Sequence, residues 1–317
     1  MGNKKQSAFQ KAREKLRQAA TPKTILVGIG MYRYPEPKTI QKVWMMCADF
    51  LARGSGYNVQ MAIIAQSQTI DMRNQVARSA MNHEEVSHVL FIDDDMDFPV
   101  GAAYNHKGEP VQGFNPLVRL LERNKDMVGA LCTARDESAM PFIGWEDERG
   151  TCTAKIDPYK HMLGGDPFQV DFIGFGMVLI KREVLVGVLE GCRYNQGQVF
   201  DYYNTWRTSP EARAEFAEAL KRYETHHDQD RLAREVESIQ AACERLGEDY
   251  AFCKRARDYA GATIWCDPSF DVDHIGRYGY GRKDWLGAYI QREGPLKTPE
   301  ELEQEANAPQ PAAAASE

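Results

Sequence analysis

Hydrophobic residues along the chain fall into short continuous runs that alternate with longer stretches of helical periodicity. The runs predicted as strands are TILVGIGM, NVQMAIIAQS, HVLFIDDD, DMVGALCTA and ATIWCDPSFDVDH, and QVDFIGFGMVLIKREVLVGVLEG predicts a strand that leads into a helix. The predicted helices are IQKVWMMCADFLARG, DMRNQVARSAMNH, NPLVRLLERN and EDYAFCKRARDYAG, with one or two more between Ser209 and Leu246. This alternation predicts an α/β fold with a mostly parallel sheet flanked by helices.

The two ends of the chain differ in composition from the segment between them. Residues 1–22 combine Lys and Arg with helix-forming residues, which predicts a basic helical arm: either a solvated extension or a patch for an anionic partner such as DNA or a phosphorylated lipid. Residues 295–317 are rich in Ala, Pro and Glu without apolar periodicity, as expected of a disordered tail. The predicted main domain therefore covers 23–294, with a helical insertion at about 209–246.

Composition narrows the class of protein. A hydrophobic fraction of 43% over 317 residues is enough for a full core. No window approaches the roughly 18 to 20 apolar residues of a membrane span, and the chain begins polar and basic, so we expect a cytoplasmic protein. Seven cysteines without a CxxC pair indicate neither a disulfide framework nor a zinc knuckle. The net charge of -7 argues against a surface built throughout to grip nucleic acid, although a local basic patch is compatible with it.

The segment FIDDDMDFP is the sharpest chemical signal, because Asp93, Asp94, Asp95 and Asp97 follow a continuous apolar run. Carboxylates this close together repel one another unless a cation neutralises them. Hard oxygen ligands favour Mg2+ or Mn2+, which can bridge two phosphates and stabilise a diphosphate leaving group. In a continuing strand, Asp93 and Asp95 share a face while Asp94 points elsewhere. The alternative is an acidic turn that caps the following segment.

Five segments in this order resemble the motifs of GT-A-fold glycosyltransferases, particularly the family-2-like enzymes, over about residues 25–274. The segment FIDDDMDFP resembles the family's DxD motif, and TIDMRNQVARSAM resembles the helix before it. The other three are DFIGFGMVLIKREVL, GEDYAFCKRARDYAG and WCDPSFDVDHIG, similar to the family's Gly-x-Gly, ED and terminal His segments. The resemblance implies a Rossmann-like GT-A fold and transfer of a sugar from a nucleotide-sugar donor, for which we expect a UDP-sugar, with Mn2+ or Mg2+.

Two acidic residues after Gly247 are the candidates for catalysis. Glu248 and Asp249 begin a predicted helix, where carboxylates are also favoured as N-terminal caps. In the functional interpretation, Asp249 is the general base that removes the proton of the acceptor hydroxyl. The resemblance gives this role to the aspartate of the pair in inverting enzymes, and Glu248 would orient the acceptor or the helix.

The resemblance also implies residues for the donor and the metal. The expected donor contacts are Asp93, Asp94, Arg73, Asn74, Gly174, Gly176 and Arg277. The expected metal ligands are Asp95, Asp93 and His274. Each has a structural alternative: a surface ion pair for Arg73, a strand bulge for the glycines and a packed or surface position for His274. The pair His226–His227 with Asp228 is interpreted as a solvated face.

The sequence departs from the family pattern where the nucleotide and the acceptor would bind. The first strand ends in GIGMYRY instead of a Pro-Thr pair, and PVGAAYNHKGEPVQG is longer than the usual link after the DxD strand. Four aromatic residues could stack on a sugar or nucleobase, or pack in the core: Trp145, Tyr202, Tyr203 and Trp206. We expect a glycan or a modified DNA base as acceptor.

Two other classes of function compete with sugar transfer. A nucleotidyltransferase that makes nucleotide sugars would share the sheet and metal chemistry but should carry a Gly-rich phosphate loop after the first strand, which RYPEPK is not. A non-catalytic protein of the same fold would bind the donor without turnover.

Overall fold

A computed structural model describes much of the chain between Lys23 and Ile275, with short stretches after it. The described residues are 23–31, 35–65, 68–104, 109–133, 140–148, 152–163, 165–191, 198–200, 203–204, 210–227, 229, 231–232, 234–235, 245–275, 289–291 and 301. The predicted arm at 1–22, nearly all of the predicted tail, and the candidates Arg277, Tyr202, Trp206 and Asp228 lie outside these residues.

The described elements alternate between strand and helix over most of the chain. The strands are β1 (Lys23–Met31), β2 (Tyr57–Ala65), β3 (Val86–Asp93), β4 (Met96–Asp97), β5 (Gly101–Tyr104), β6 (Pro110–Phe114), β7 (Met127–Ala130), β8 (Ile143–Glu146), β9 (Cys152–Thr153), β10 (Phe168–Val170), β11 (Phe172–Ile173), β12 (Met177–Lys181), β13 (Tyr203–Asn204), β14 (Arg245–Leu246), β15 (Ile264–Asp267) and β16 (Asp273–His274). The helices are α1 (Pro37–Ala52), α2 (Thr69–Asn82), α3 (Pro116–Glu122), α4 (Arg182–Gly191), α5 (Pro210–His226) and α6 (Glu248–Ala260), with a π-helical segment at Pro158–Leu163.

The central sheet has seven strands within the described residues, in the order β10, β15, β7, β12, β3, β1, β2. Strands β2, β1 and β3 pair in parallel, as do β7 and β15. Strand β12 lies antiparallel between β3 and β7, and β10 lies antiparallel at the edge. This mostly parallel sheet, flanked by helices, confirms the predicted α/β class.

Alternation along the central strands creates a core on each face of the sheet. On β3, Phe91 joins the cluster that includes Val76 of α2 and residues of α4 and α6. Its neighbour Leu90 joins the opposite cluster, which includes Phe50 of α1 and residues of α3. Both faces of β3 are therefore buried, which explains why its sequence is a continuous apolar run and not an alternating one.

Two predicted strands end earlier than their sequences suggested. Strand β3 stops at Asp93, and the next two aspartates form a turn before the short strand β4, so the predicted alternation from Asp93 to Asp95 does not apply. The predicted last strand is divided into β15 and β16, because Pro268 has no N–H to donate to a sheet. Strand β16 instead pairs with β4 in a separate two-stranded sheet.

Three further observations bear on expectations from composition. None of the described helices combines the length and the apolar character required to cross a bilayer. The five described cysteines (Cys47, Cys132, Cys152, Cys253 and Cys266) are free thiols. Helix α5 lies inside the stretch 209–246, for which helical structure was predicted.

Candidate active site

The candidate site lies at the carboxyl end of β3, next to the start of β12 and the N-terminal ends of α2 and α6. Carboxyl ends of parallel strands are where ligands bind in open α/β sheets. Asp93 is the last residue of β3, and its backbone N–H donates to the carbonyl oxygen of Gly176 at 3.1 Å. This bond holds the segment before β12 against the first aspartate of the acidic run.

Arg73 joins three acidic residues that the sequence analysis had assigned separately. Its Nη2 donates to Oδ1 of Asp93 at 3.2 Å, and its Nη1 donates to Oε1 of Glu248 at 3.4 Å and to Oδ1 of Asp249. The guanidinium carbon also lies 4.9 Å from the centre of the Phe175 ring. Arg73 is only 5% exposed, which excludes the surface ion pair considered as its alternative.

The electrostatics of the cluster depend on this one guanidinium. Burial alone would lower the pKa of Arg73, but the charges of Asp249, Asp93 and Glu248 outweigh that effect and raise the pKa above its ordinary value. Arg73 is therefore a permanent cation. It offsets the mutual repulsion of carboxylates that come from α6 and from the end of β3.

Asp249 is held through both of its carboxylate oxygens. Arg73 donates to Oδ1, and the backbone N–H of Phe175 donates to Oδ2 at 3.1 Å. Burial raises the pKa of Asp249 above its ordinary value, while Arg73 and the Phe175 amide act in the opposite direction. A carboxylate with a raised pKa is a stronger base, and its fixed orientation suits proton transfer. These partners lie outside helix α6, so the carboxylate does more than cap its own helix.

The other acidic residues of the run have different surroundings. Asp94 and Asp95 occupy the half-buried turn between β3 and β4, where the carbonyl oxygen of Asp94 accepts from the N–H of Glu36 at 3.0 Å. Asp97 forms an ion pair with Lys38 and lies 3.5 Å from Nζ of Lys42. The charge of the fourth aspartate is therefore offset by two lysines of α1.

His274 lies beside this turn through backbone pairing. It pairs with Met96 across the β4–β16 sheet, and the N–H of Ile275 donates to the carbonyl oxygen of Asp95 at 2.6 Å. His274 is buried, at 8% exposure. Nevertheless, no group of three or more His, Cys, Asp or Glu side chains in the described residues is arranged to hold a metal ion. The predicted set of Asp93, Asp95 and His274 is thus not a preformed cage.

Asn74 follows Arg73 on α2 but turns its amide away from the carboxylate cluster. Its Nδ2 donates to the carbonyl oxygen of Phe200 at 2.8 Å, and its Oδ1 accepts from the N–H groups of Val199 and Phe200, each at 2.9 Å. These bonds attach residues 199–200 to the helix. Its assignment to the nucleotide stays a prediction.

The two glycines before β12 make room for neighbouring side chains. A Cβ at Gly174 would lie 2.7 Å from Cβ of Phe142, and a Cβ at Gly176 would lie 2.7 Å from Sγ of Cys132. Packing within the protein thus accounts for both glycines, and their predicted contact with the donor remains a prediction.

Among the four aromatic candidates, Trp145 has a packing role. It donates from Nε1 to the carbonyl oxygen of Gln169 at 3.1 Å, and its ring lies against His161 and Phe168. Tyr203 forms part of β13.

The sequence analysis did not identify Phe175, whose backbone amide donates to Asp249. A backbone N–H leaves no signature in the residue type, and the only hint in the sequence is that Phe175 lies between two glycines. Phe142 was likewise not identified from the sequence.

Comparison with known proteins yields weak likenesses. No protein-family model matches the chain, and no curated protein matches it. Among solved structures, A197 from STIV shares 12% identity, with 83% of this chain and 91% of that chain covered and a TM-score of 0.41. A putative glucose-1-phosphate thymidylyltransferase from Bacillus anthracis shares 11% identity, with 72% and 98% covered and a TM-score of 0.29. A glycosyltransferase involved in glycosylation of the major capsid of PBCV-1 shares 12% identity, with 63% and 76% covered and a TM-score of 0.22. Likenesses at this level say nothing of substrate or activity.

Proposed function

We propose that this protein is a glycosyltransferase of the GT-A type, which moves a sugar from a nucleotide-sugar donor to an acceptor hydroxyl. The observation that carries the proposal is Asp249, a half-buried carboxylate oriented through both oxygens by Arg73 and the Phe175 amide. The guanidinium of Arg73 also bonds to Asp93, which is at the carboxyl end of the central strand β3. A base and a donor-side carboxylate are thereby joined in one cluster.

In the proposed reaction, Asp249 takes the proton from the acceptor hydroxyl. The acceptor oxygen forms a bond to the anomeric carbon, and the bond from that carbon to the donor diphosphate breaks, with its electron pair leaving on the phosphate oxygen. Attack from the face opposite the leaving group inverts the anomeric configuration. Glu248 contacts the same nitrogen of Arg73 as Asp249 and so helps to hold the guanidinium in place.

The donor is proposed to bind around Asp93, at the ends of β1 and β3. Asp93 would accept hydrogen bonds from the ribose or base, and Asp94 lies next to it in the turn. A UDP-sugar is the first donor to test.

A divalent cation is proposed to arrive with the donor. Mg2+ is commonly held by one or two carboxylates together with substrate phosphates, not by a complete protein cage. Asp93, Asp95 and His274 are the residues proposed for such a partial site, because the N–H of Ile275, next to His274, donates to the carbonyl oxygen of Asp95 in the turn that follows Asp93. The absence of three converged ligands among the described side chains is compatible with a partial site. When bound, the cation would stabilise negative charge on the departing diphosphate.

Thermal unfolding against a donor panel tests this function. UDP-, GDP-, TDP- and CMP-sugars would each be added with Mn2+ and with EDTA. A single donor should raise the melting temperature by a few degrees, provided that it is present at about 100 times its Kd, and EDTA should remove the shift.

The product then separates the transferase from its main competitor. Sugar transfer or slow hydrolysis releases a nucleoside diphosphate, whereas a nucleotidyltransferase acting on a sugar phosphate and a nucleoside triphosphate releases pyrophosphate. Pyrophosphate release would contradict the proposal. A donor that binds without any turnover in the presence of acceptors would favour a non-catalytic binding protein.

A further inference from the structure

Phe142 is an exposed aromatic residue that the proposed reaction has not yet used. It precedes β8 and is 41% exposed, although its backbone is fixed on both sides. Its N–H donates to the carbonyl oxygen of Cys132 at 2.9 Å, and its carbonyl oxygen accepts from the N–H of Gly174 at 2.7 Å. An exposed apolar side chain on its own needs no explanation. Phe142 differs, because hydrogen bonds hold its backbone on both sides and one of them joins it to the segment that fixes Asp249.

A short chain of contacts connects Phe142 to the proposed base. Gly174, which bonds to Phe142, is followed by Phe175, and the N–H of Phe175 donates to Oδ2 of Asp249 at 3.1 Å. On its other side, the Phe142 ring meets His274 edge-on, with ring centres 6.4 Å apart and an interplanar angle of 75°. Phe142 is therefore linked through backbone hydrogen bonds to the segment that fixes Asp249, and its ring contacts the proposed metal ligand His274.

Close packing against Gly174 indicates that the Phe142 side chain has a defined position. A Cβ at residue 174 would approach Cβ of Phe142 to 2.7 Å, so the glycine at this position leaves room for Cβ of Phe142. An aromatic side chain loses little conformational entropy on binding, because only two torsions need to be fixed. A rigid, partly exposed ring offers an apolar face to the C–H face of a sugar ring or to a flat base.

The charge of the site distinguishes between these two ligands. Asp93, Glu248 and Asp249 share one arginine, so the cluster keeps an acidic excess. The whole chain carries a net charge of -7, and the segment after the basic arm is more acidic still. The proposed cation would neutralise the donor diphosphate, but a DNA acceptor would bring additional phosphates close to these carboxylates, and binding of DNA requires Lys or Arg to neutralise phosphates. A neutral saccharide meets no such repulsion.

We propose that Phe142 is the stacking platform for the acceptor and that the acceptor is a neutral carbohydrate presenting a pyranose face. This inference rests on the proposed sugar transfer, because it assigns the acceptor of that reaction. Phe142 would place the sugar so that its hydroxyl meets Asp249. It is a binding residue for the acceptor and takes no part in proton transfer.

Ligand-observed saturation-transfer NMR with methyl glycosides tests the proposal without requiring turnover. The probes are the methyl β-glycosides of glucose, galactose, mannose and N-acetylglucosamine, and a short single-stranded oligonucleotide with hydroxymethylated pyrimidines. Phe142→Trp keeps an aromatic face, Phe142→Leu keeps apolar bulk without a ring, and Phe142→Ala removes both. Trp44→Ala is the control, since Trp44 is 57% exposed but belongs to α1, which carries neither the proposed base nor a proposed metal ligand. Thermal melting confirms that each variant is folded.

The expected result is that at least one glycoside binds to the wild type, with saturation strongest on one face of the sugar ring. Its Kd should rise roughly tenfold in Phe142→Leu and Phe142→Ala, as expected for losing about 1.4 kcal/mol of contact, and should be nearly unchanged in Phe142→Trp and Trp44→Ala. Equal affinity in Phe142→Ala and the wild type would overturn the proposal. So would binding of the oligonucleotide, or of none of the glycosides.

Donor binding is measured separately, so that the two proposals can fail independently. If the donor shifts the melting temperature and releases nucleoside diphosphate while no glycoside contacts Phe142, the acceptor assignment is wrong and sugar transfer stands. If glycosides bind through Phe142 but no nucleotide sugar binds or reacts, the sugar site stands and the proposed transfer is wrong.

Discussion

The guanidinium of Arg73 donates a hydrogen bond to the carboxylate of Asp249, which lies 176 positions further along the chain. The same guanidinium bonds to Asp93, so a single buried cation connects α2, the end of β3 and the start of α6. Carboxylates from distant parts of the sequence are thereby held in one cluster. The expected effects of replacing Asp249 and Arg73 depend on this connection.

Replacing the base should separate catalysis from donor binding. Asp249→Asn keeps the shape of the side chain but cannot accept the acceptor's proton, so transfer should fall roughly 10²- to 10⁴-fold. Donor affinity, measured by titration calorimetry, should stay near that of the wild type. The control is Asp258→Asn, a more exposed carboxylate on the same helix that pairs with Lys254 at 3.7 Å. Retained turnover in Asp249→Asn would remove this residue from the base role.

Arg73→Lys should show that the guanidinium geometry matters beyond its charge. A lysine keeps the positive charge but lacks the planar fork that reaches three carboxylates. We expect the free energy of unfolding to fall by about 2 kcal/mol, less than the ~3–5 kcal/mol lost when one partner of a buried pair is removed altogether. Urea unfolding measures this change.

The matched control for that change is Arg231→Lys. Arg231 pairs with Glu235 at 2.8 Å on the surface and is half exposed. An exposed pair of this kind contributes less than about 1 kcal/mol, so its conservative replacement should be nearly neutral. Equal losses in the two variants would mean that the Arg73 cluster has no special role in stability.

Sequence patterns predicted the positions of the central strands but not their order in the sheet. Strand β3 is buried on both faces and reads as an unbroken apolar run, so its position was predictable. The antiparallel insertion of β12 between β3 and β7 was not, because strand order is decided by pairings between distant segments. The break after Asp267 was marked in the sequence by Pro268, and the prediction overlooked it.

The candidate site was also only partly predictable from the sequence. Arg73, Asp93 and Asp249 were selected from motifs, and the fold brings all three together. The role of the Phe175 amide could not be predicted from residue types, since every residue except proline has a backbone N–H. An asparagine side chain can bind either a nucleotide or a loop, so the sequence does not distinguish these roles for Asn74. The structure reveals its three hydrogen bonds to residues 199–200.

Asp95→Ala should weaken donor binding in a metal-dependent way. If Asp95 helps to hold a cation on the donor diphosphate, the variant should lose most of the Mn2+-dependent part of the donor's thermal shift and keep the part that persists in EDTA. Glu183→Ala is the control, because Glu183 is a well-exposed carboxylate on α4. An undiminished Mn2+ effect in Asp95→Ala would contradict the assignment of this residue to the metal.

His88 should make stability depend on pH between about 6.5 and 4. Burial and, to a smaller extent, the charges of Lys181 and Lys23 lower the pKa of His88 from 6.5 to about 4. The unfolded chain then binds a proton more readily than the folded protein in this window, so this contribution is complete above pH 6.5 and is lost as the pH falls. Urea unfolding should show a decline of on the order of 2–3 kcal/mol in the wild type and a shallower one in His88→Gln. Parallel slopes would mean that His88 titrates normally.

Gly174→Ala should test whether this glycine serves packing around Phe142. The added Cβ would approach Cβ of Phe142 to 2.7 Å, which the Phe142 side chain can relieve only by moving with its backbone. Overpacking of this kind costs about 1–3 kcal/mol. Gly247→Ala is the control without overpacking, because its new Cβ meets nothing within 4 Å, although Gly247 is the N-cap of α6, where Ala is less favourable than Gly by up to about 1 kcal/mol. Urea unfolding should therefore show a larger loss of stability at 174 than at 247. A stable Gly174→Ala protein that has lost donor binding would instead indicate that the glycine lies against the ligand.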